Sequence, residues 1–487
     1  MHLATDLLAL DATALSRRIA ARDISCAELM RATLGRIEAL NPKFNAIVSL
    51  RGSESLLADA GSCDEELARG QRRGWMHGFP IAVKDLVDAS GLPTRSGSPA
   101  TSSQPAATDA LLVARMKGAG AIVIGKTNVP EFGLGSHTYN PLFGLTRNAY
   151  DPSRSAGGSS GGAAVALALR MLPVADGSDF GGSLRNPAAW NNVVGMRPSR
   201  GRVPAVPAQD TFFQQLGTEG PMGRSVEDVA RLLCTLSGWD DRAPLSLADA
   251  LPDADAPDPI GCAHGKRIGW LGPIWPDLPL EPGVLDLCQS SLQHFEALGC
   301  QVEPCTLDFS RERNWSAWLR LRQLLTGGKL GPLYADPRTR ALLKPEAVWE
   351  IEQSHALTAA QLYEATASRT ALYHALRELF ERYDYLVAPS AQVFPFDAAL
   401  NWPGSIDGVS MDTYHRWMEI VTPFTLAGLP VASMPVGFSA QGLPMGLQIA
   451  GPVRADLTVL AIARAFEAAT GWTRNHLPPV LRAVAVA

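Results

Sequence analysis

Short apolar segments alternate with helical ones through the first half of the chain. FPIAVKDLV at residues 79–87 and AIVIG at residues 121–125 have strand character, whereas residues 108–120 and GGAAVALALRM at residues 161–171 have helical character. A strand that is buried on both faces of its sheet is typically a nearly continuous apolar run. The alternation therefore predicts an α/β fold whose sheet is covered by helices on both faces.

The length of 487 residues allows one large domain or several smaller ones. We predict an N-terminal helical segment at residues 1–70, a core at 71–240, a variable and mainly helical region at 241–415, and a return to strands at 416–487. A stretch rich in Pro, Ala and Asp at residues 241–260 marks the main boundary. We expect the four parts to form one compact domain.

Charge and patterning exclude several classes of partner. The net charge is −5, and no basic stripe stands out, so neither nucleic acid nor a membrane surface is expected as a partner. The N-terminus lacks a basic start, and Asp6 and Asp11 interrupt its apolar stretch, which is not typical of a secretion signal. No apolar run approaches the roughly 18 residues of a membrane span. We expect a cytoplasmic protein.

The cysteines are scattered and include no C-x-x-C pair. This pattern predicts reduced thiols and no disulfide framework. His294, Cys300 and Cys305 lie close in sequence, but their spacing fits no familiar zinc site. Neither a metal nor another cofactor is expected. The seven cysteines are Cys26, Cys63, Cys234, Cys262, Cys288, Cys300 and Cys305.

Two motifs match known functional signatures, but the sequence around each motif does not fit the local structure that the signature requires. GAIVIGKT at residues 120–127 satisfies the Walker A pattern, but its four middle residues belong in a strand and not in a phosphate-binding loop. GSSGG at residues 158–162 satisfies the G-x-S-x-G pattern of a nucleophile elbow, which requires a strand directly before it. The preceding RNAYDPSRSA is polar, so a buried strand there is not expected.

A second glycine-rich turn and a lysine form a more specific combination. Ser183 follows a Gly-Gly pair in GSDFGGSLRNP, where backbone N–H groups can converge on a small anion. A plain tight turn is the alternative. Lys84 follows the apolar residues 81–83, and burial there would lower its pKa so that it could act as a base. The alternative is a lysine that extends its charge into water.

Taken together, the motifs resemble the amidase signature family. They are GFPIAVKD, GKTNVPEFG, GGSSGGAAVALA, GSDFGGSLRNPAAWNNVVGMRPSRGRVP, GPMGRSVEDVARLL and the terminal GLPVASMPVGF and GLPMGLQIAG. The likeness runs from about residue 25 to residue 451 and is weakest at residues 240–415. It implies a large mixed β-sheet core that is covered by helices on both faces, with a mainly helical variable insertion.

The resemblance also implies a Ser–Ser–Lys triad for amide hydrolysis. Ser183 would be the nucleophile, Ser159 would follow a cis peptide bond and relay a proton, and Lys84 would be the base. Ser160 is expected only to support the start of the following helix. The oxyanion hole would be formed by the backbone N–H groups of Phe180, Gly181, Gly182 and Ser183.

Phe180 departs from the family pattern, which has a small or β-branched residue there. The Phe180 N–H is still available, but the ring is expected to narrow or redirect the acyl pocket. Asp179 and Arg185 flank this turn and are expected either to brace it as an ion pair or to be surface charges of little effect.

The substrate is expected to be a small-molecule carboxylic amide, with aryl amides or anilides as a hypothesis. Two alternatives are the glutaminase-type subunit of a tRNA-dependent amidotransferase and a non-catalytic binding protein on the same scaffold. The resemblance also suggests a homodimer. The candidate pocket residues are Phe132, Gly133, Tyr139, Trp190 and Trp315.

Overall fold

A computed structural model of the chain describes residues 7–213, 216–249, 251 and 263–486, with the side chains of residues 483–486 excluded. Cys262 and much of the predicted boundary at residues 241–260 lie outside these ranges. The six cysteines within them form no disulfide with one another. No helix in the described ranges is both long enough and apolar enough to cross a membrane.

The strands form one large sheet, one small sheet and one hairpin. The strands are β1 (Ile47–Val48), β2 (Pro80–Lys84), β3 (Ile122–Thr127), β4 (Val174–Asp179), β5 (Val194–Arg197), β6 (Thr218–Gly223), β7 (Arg267–Trp270), β8 (Gln301–Pro304), β9 (Tyr385–Pro389), β10 (Ser405–Ile406), β11 (Val409–Ser410), β12 (Val431–Phe438) and β13 (Pro444–Ala450).

Helices account for much of the remaining chain. They are α1 (Ala12–Ala20), α2 (Cys26–Phe44), α3 (Ser53–Ala68), α4 (Leu111–Gly118), α5 (Gly161–Ala168), α6 (Asn186–Trp190), α7 (Val226–Leu236), α8 (Val284–Ser290), α9 (Gln293–Ala297), α10 (Arg311–Ala335), α11 (Pro337–Arg340), α12 (Pro345–His355), α13 (Ala359–Arg382), α14 (Thr422–Ala427), α15 (Asp456–Thr470), α16 (Trp472–Asn475) and α17 (Pro479–Val486). Two short 3₁₀ helices span Glu131–Gly133 and Arg416–Val421.

The large sheet has eight strands in the order β4-β6-β5-β12-β13-β9-β7-β8. The pairs from β4 through β9 are antiparallel, whereas β7 is parallel to both β9 and β8. Every residue of β5, β9 and β13 is buried. Because successive strand residues point to opposite faces, both faces of the sheet are covered at its centre. The predicted α/β fold with a large mixed sheet is confirmed.

The small sheet has the order β1-β3-β2, with β2 and β3 parallel. Its strand β2 is the predicted apolar run, and all five of its residues are buried. The backbone N–H of Lys84, at the end of β2, donates to both carboxylate oxygens of Asp176 on β4, at 3.2 Å each. This contact joins the small sheet to the edge of the large one.

The region at residues 241–415 contains the long helices α10 and α13 together with α12, in keeping with its predicted helical character. It also supplies β7, β8 and β9 to the large sheet. Helix α10 packs against α12 and α13, and its residues line the same cavity as the ends of β4 and β6. These packing contacts position α10 over the two glycine-rich turns.

Candidate active site

Lys84 is the centre of a cluster of serine side chains. Its Nζ donates to Oγ of Ser159 and of Ser160, both at 2.8 Å. It also donates to Oγ of Ser178 at 2.9 Å and to the carbonyl oxygen of Ser178 at 3.2 Å. The side chain is fully buried. Four uncharged oxygens therefore surround an amine that has at most three hydrogens to donate.

Burial lowers the pKa of Lys84 to about 8, against the opposing charges of Glu219, Asp176 and Asp179. Burial likewise raises the pKa of Asp176 to about 6, although the Lys84 backbone N–H and the nearby lysine charges oppose this rise. The amine can thus gain and lose a proton near neutral pH, as a general base must.

The first glycine-rich turn holds Ser159 and Ser160 beside Lys84. The peptide bond between Gly158 and Ser159 is cis, and α5 begins two residues after Ser159. A Cβ at Gly162 would lie 2.4 Å from the Asn128 backbone nitrogen, so only glycine fits there. The backbone of this turn therefore lies in close contact with the backbone of Asn128, which directly follows β3.

The second glycine-rich turn lies directly beside the first. The Ser160 N–H donates to the Ser183 carbonyl oxygen at 3.3 Å, which joins the two turns. Gly182 has φ +89°, a conformation that favours glycine, and a Cβ there would lie 2.9 Å from Val421 Cγ2. Ser183, 6% exposed, follows this residue and lines the same cavity as Ser159.

A buried ion pair braces the second turn, as one of the two expectations for Asp179 and Arg185 predicted. Arg185 Nε and Nη2 donate to the two carboxylate oxygens of Asp179, each at 2.9 Å, and both side chains are fully buried. Arg197 Nη1 adds a contact at 3.2 Å. Burial alone would raise the pKa of Asp179, but the two guanidinium groups hold it well below its usual range.

The backbone donors of this turn divide into two groups. The N–H groups of Gly182 and Leu184 donate to the Asp179 carboxylate, at 2.9 and 3.2 Å. Those of Phe180, Gly181 and Ser183 donate to no acceptor in the described part of the chain. Of the four donors expected in an oxyanion hole, Gly182 is therefore engaged by Asp179 in this structure.

A cavity of about 160 Å³ opens in front of both turns. Its apolar wall includes Phe132, Gly133, Leu134 and Leu330, so the two predicted pocket residues Phe132 and Gly133 lie on it. Its polar wall consists of the serines at positions 159, 178 and 183 together with Glu219, Arg322 and Lys329. Ser159 and Ser183 face one cavity, but their hydroxyls form no hydrogen bond with each other in this structure.

The other three predicted pocket residues lie elsewhere. Tyr139 lines a separate pocket of about 720 Å³, together with Trp349, Trp402 and Tyr414. Trp190 is fully buried, stacks on Trp417 at a centroid distance of 5.6 Å, and donates to a backbone carbonyl. Trp315 is 3% exposed and stacks on Trp318 at 5.0 Å. Neither Trp190 nor Trp315 lines the cavity, because both fill the apolar interior.

Ser178, Glu219 and Arg322 are site residues that sequence reasoning missed, and Ser160 contacts Lys84 as well as supporting the helix. Arg322 on α10 donates to Glu350 at 2.7 Å and to the Tyr414 hydroxyl at 2.7 Å. Its guanidinium carbon lies 5.2 Å from the ring centroid of Phe180, which places a cation against the unusual ring of the second turn. No local pattern marks Arg322, since its partners are distant in sequence.

Within the ranges that the structure describes, one group of side chains has metal-ligand chemistry, namely Cys63, Glu66 and His77, whose ligand atoms lie within 4.8 Å of one another. Both ring nitrogens of His77 already form hydrogen bonds, with the Cys63 carbonyl oxygen and with the Arg73 N–H. Glu66 pairs with the Arg73 side chain. These contacts account for the group without an ion.

Comparisons with known proteins extend over almost the whole chain. A family model described as Amidase matches residues 28–460. The acylamidase of Rhodococcus erythropolis is 32% identical over 477 residues, covering 95% of this chain and 96% of that protein. A glutamyl-tRNA(Gln) amidotransferase subunit of Cyanothece sp. is 33% identical over 487 residues, covering 95% and 98%.

Among solved structures, a bacterial aryl acylamidase of the amidase signature enzymes family superposes with a TM-score of 0.87. It is 29% identical and covers 96% of this chain and 99% of its own. The similarity therefore extends over almost the whole fold and is not confined to the two glycine-rich turns.

Proposed function

Because the chain belongs to the amidase signature family and is a hydrolase of amide bonds, we propose that it cleaves a carboxylic amide through an acyl-enzyme on Ser183. The observation that carries this proposal is the 2.8 Å hydrogen bond between Lys84 Nζ and Ser159 Oγ, at the edge of the cavity that Ser183 lines. A serine hydroxyl becomes an effective nucleophile when a nearby base accepts its proton.

In the first half-reaction, neutral Lys84 accepts the Ser159 proton while Ser159 accepts the Ser183 proton. Ser183 Oγ then attacks the amide carbonyl carbon and forms a tetrahedral intermediate. The proton returns from Lys84 through Ser159 to the amide nitrogen, the C–N bond breaks, and the amine leaves. Substrate binding must bring the Ser159 and Ser183 hydroxyls within hydrogen-bond reach, as is common for catalytic contacts that tighten in the complex.

The second half-reaction uses the same groups in reverse. Water takes the place of the amine, gives a proton to Lys84 through Ser159, and attacks the ester carbonyl of the acyl-enzyme. The proton then returns to Ser183 as the acid leaves. Ser159 transfers protons in both halves and is not consumed.

The oxyanion of each tetrahedral intermediate is proposed to bind the backbone N–H groups of the second turn. The groups of Phe180, Gly181 and Ser183 support this role because they have no acceptor in the described part of the chain. The Gly182 N–H would contribute only by leaving the Asp179 carboxylate, from which it lies 2.9 Å. The buried Asp179–Arg185 pair would keep the donors in place, and such preorganisation is the main source of oxyanion stabilisation.

We propose aryl amides or anilides as the substrate class. The support is the aromatic and aliphatic wall of the cavity, with Phe132, Phe180, Leu134 and Leu330, and the similarity to an aryl acylamidase structure. The Arg322 guanidinium beside the Phe180 ring would limit the depth of this apolar pocket.

The central test is covalent labelling with a fluorophosphonate, followed by peptide mass spectrometry. We expect one label per chain on the peptide that contains Ser183, and none on Ser183→Ala. Ser103→Ala, which changes an exposed serine, is the matched control and should label like the wild type. A wild-type chain that stays unlabelled, or a Ser183→Ala variant that still hydrolyses an anilide at an appreciable rate, would refute the proposal.

The second candidate is the glutaminase-type component of an amidotransferase, because a relative named as a subunit of such an enzyme is 33% identical over 95% of this chain. A component of that kind would need partner chains, whereas an independent amidase would not. We expect the purified chain to hydrolyse an acetanilide by itself and faster than glutamine. A chain that is inactive alone but gains glutaminase activity with partner chains would favour the second candidate.

We also propose that the chain acts in the cytoplasm as a homodimer. The six described cysteines without a disulfide support a reducing compartment. Phe213, which is 73% exposed, is a large apolar side chain of the kind that subunit contacts cover. Light scattering of the purified chain tests the dimer, and a monomeric mass at micromolar concentration would exclude it.

A further inference from the structure

Glu219 lies on the same face of the sheet as the partners of Lys84. Strands β4 and β6 pair antiparallel, with Ser178 directly opposite Glu219. Directly opposed residues in an antiparallel pair point to the same face of the sheet. Since Ser178 Oγ accepts from Lys84 Nζ at 2.9 Å, Glu219 points toward Lys84 as well, and it lines the catalytic cavity.

The other two acidic side chains near Lys84 already have hydrogen-bond or ion-pair partners. Asp176 accepts the Lys84 backbone N–H with both of its carboxylate oxygens. Asp179 is neutralised by Arg185 and Arg197. By contrast, Glu219 Oε2 is buried and has no hydrogen-bond partner among the described residues. Of these three acids, Glu219 is therefore the one with a buried carboxylate oxygen that accepts no hydrogen bond from the described residues.

Two cations extend from α10 toward the same cavity. Arg322 is paired with Glu350, so its charge is largely balanced. Lys329 is exposed at the cavity wall, where it repels the Lys84 ammonium group and attracts the Glu219 carboxylate. The charged groups that face Lys84 are thus Asp176 and Asp179 from β4, Glu219 from β6 and Lys329 from α10.

We propose that Glu219 is a positioning residue that holds the proton on Lys84 in the resting enzyme and thereby sets the pH at which Ser183 becomes reactive. The inference rests on the proposed function of Lys84 as the base. In this role Glu219 acts through Lys84, toward which the strand register points its side chain.

The protonation equilibria of the two groups agree with this arrangement. Burial raises the pKa of Glu219 to about 7, against the positive charge of Lys84. Burial lowers the pKa of Lys84 to about 8, against the negative charge of Glu219. Each group therefore favours the charged form of the other, and the two protons are lost in steps that belong to the pair.

The test is the pH dependence of Ser183 reactivity in Glu219→Gln. Glutamine keeps the shape of the side chain but removes its negative charge, so the Lys84 ammonium loses stabilisation and deprotonates at lower pH. We expect the rise of both kcat/KM and the fluorophosphonate labelling rate to move about one pH unit lower. The labelling rate gives the answer even where turnover of the variant is too slow to follow.

Two variants separate charge from packing. Glu219→Asp keeps the negative charge and should restore most of the wild-type profile. Lys329→Met removes an exposed positive charge from the opposite side and should move the rise to higher pH, by less than one unit because solvent screens Lys329. A Glu219→Gln profile that coincides with the wild type, or a Glu219→Asp profile shifted as far as that of the glutamine variant, would overturn the inference.

The same experiment distinguishes this inference from the proposed function. Labelling of Ser183 in the wild type with an unshifted Glu219→Gln profile would remove only the role of Glu219. Absence of labelling at Ser183 in the wild type would instead remove the acyl-enzyme, and the role of Glu219 with it.

Discussion

Two buried lysines lie near the ends of the neighbouring strands β2 and β3. Lys84 lies opposite Thr127 and Lys126 lies opposite Val83 in the parallel register, and both lysines are fully buried. Burial lowers the pKa of both. Yet Lys84 contacts three serine hydroxyls, whereas Lys126 donates to the Val87 carbonyl oxygen and, at 3.1 Å, to Thr94 Oγ1.

The hydrogen-bond partners, and not burial, therefore distinguish the lysine that we propose as the base from the other lysine. A serine hydroxyl can accept from an ammonium group or donate to a neutral amine, so the contacts of Lys84 persist in both protonation states. The Val87 carbonyl can only accept, and the Thr94 hydroxyl already donates to that carbonyl at 3.3 Å. Lys126 therefore serves to tie the loop after β2 to the end of β3.

Replacing each lysine by methionine should separate the two roles, and it is the largest effect we expect. Lys84→Met removes the base, so kcat should fall about a thousandfold, within the usual range for general bases. Lys126→Met should change kcat less than about tenfold but should destabilise the fold by about 1–3 kcal/mol, because the Val87 carbonyl loses its charged donor and keeps only the Thr94 hydroxyl at 3.3 Å. Turnover of an anilide and thermal unfolding measure the two effects.

Each variant is the control for the other, because both exchange a buried lysine for an unbranched apolar side chain. The comparison would fail if Lys126→Met lost as much turnover as Lys84→Met while keeping the wild-type unfolding temperature.

The pH dependence of the reaction should follow the group of Lys84 and not that of Lys126. The reactive form of this base is deprotonated, and its pKa is lowered to about 8, so activity should rise with pH. One pH unit below that value the rate should be about tenfold under its plateau. We expect the same kcat/KM profile from pH 6 to 9.5 for wild type and Lys126→Met. A rate that falls as the pH rises from 6 to 9 would contradict a neutral lysine base.

Much of the position of Lys84 could be predicted from sequence, because it depends on local pattern. The apolar run at residues 79–87 predicted a strand that includes Lys84, and β2 is that strand, although it ends at Lys84. The two glycine-rich turns were predicted as turns from their composition, and a short helix follows each of them. The ion pair between Asp179 and Arg185 was one of two expectations for these residues, and it joins side chains that are six residues apart in sequence.

The remainder of the site depends on strand register and on packing between distant segments. Glu219 faces the cavity beside Ser178, a hydrogen-bond partner of Lys84, only because β6 pairs with β4 in a register that places it opposite Ser178. Trp190 and Trp315 were candidates for the pocket because they are aromatic, but their rings stack on Trp417 and Trp318 in the interior. A single sequence contains neither the register nor the direction in which a ring packs.

The smallest expected effect compares one hydroxyl partner of each lysine. Ser178→Ala leaves Lys84 with Ser159, Ser160 and the Ser178 carbonyl, so three acceptors remain for its hydrogens, and kcat should fall only about tenfold. The rise of activity should also move to lower pH, because the ammonium charge has lost one of the four oxygens that surround it.

Thr94→Val removes the corresponding hydroxyl beside Lys126 with little change in shape. It should leave the pH profile and kcat unchanged and cost about 1 kcal/mol of stability, the net value of one hydrogen bond. If the two substitutions shifted the pH profile equally, the serine hydroxyls would have no specific effect on the pKa of Lys84. If only Ser178→Ala shifts it, the uncharged oxygens around Lys84 contribute to its proton affinity together with the charged groups nearby.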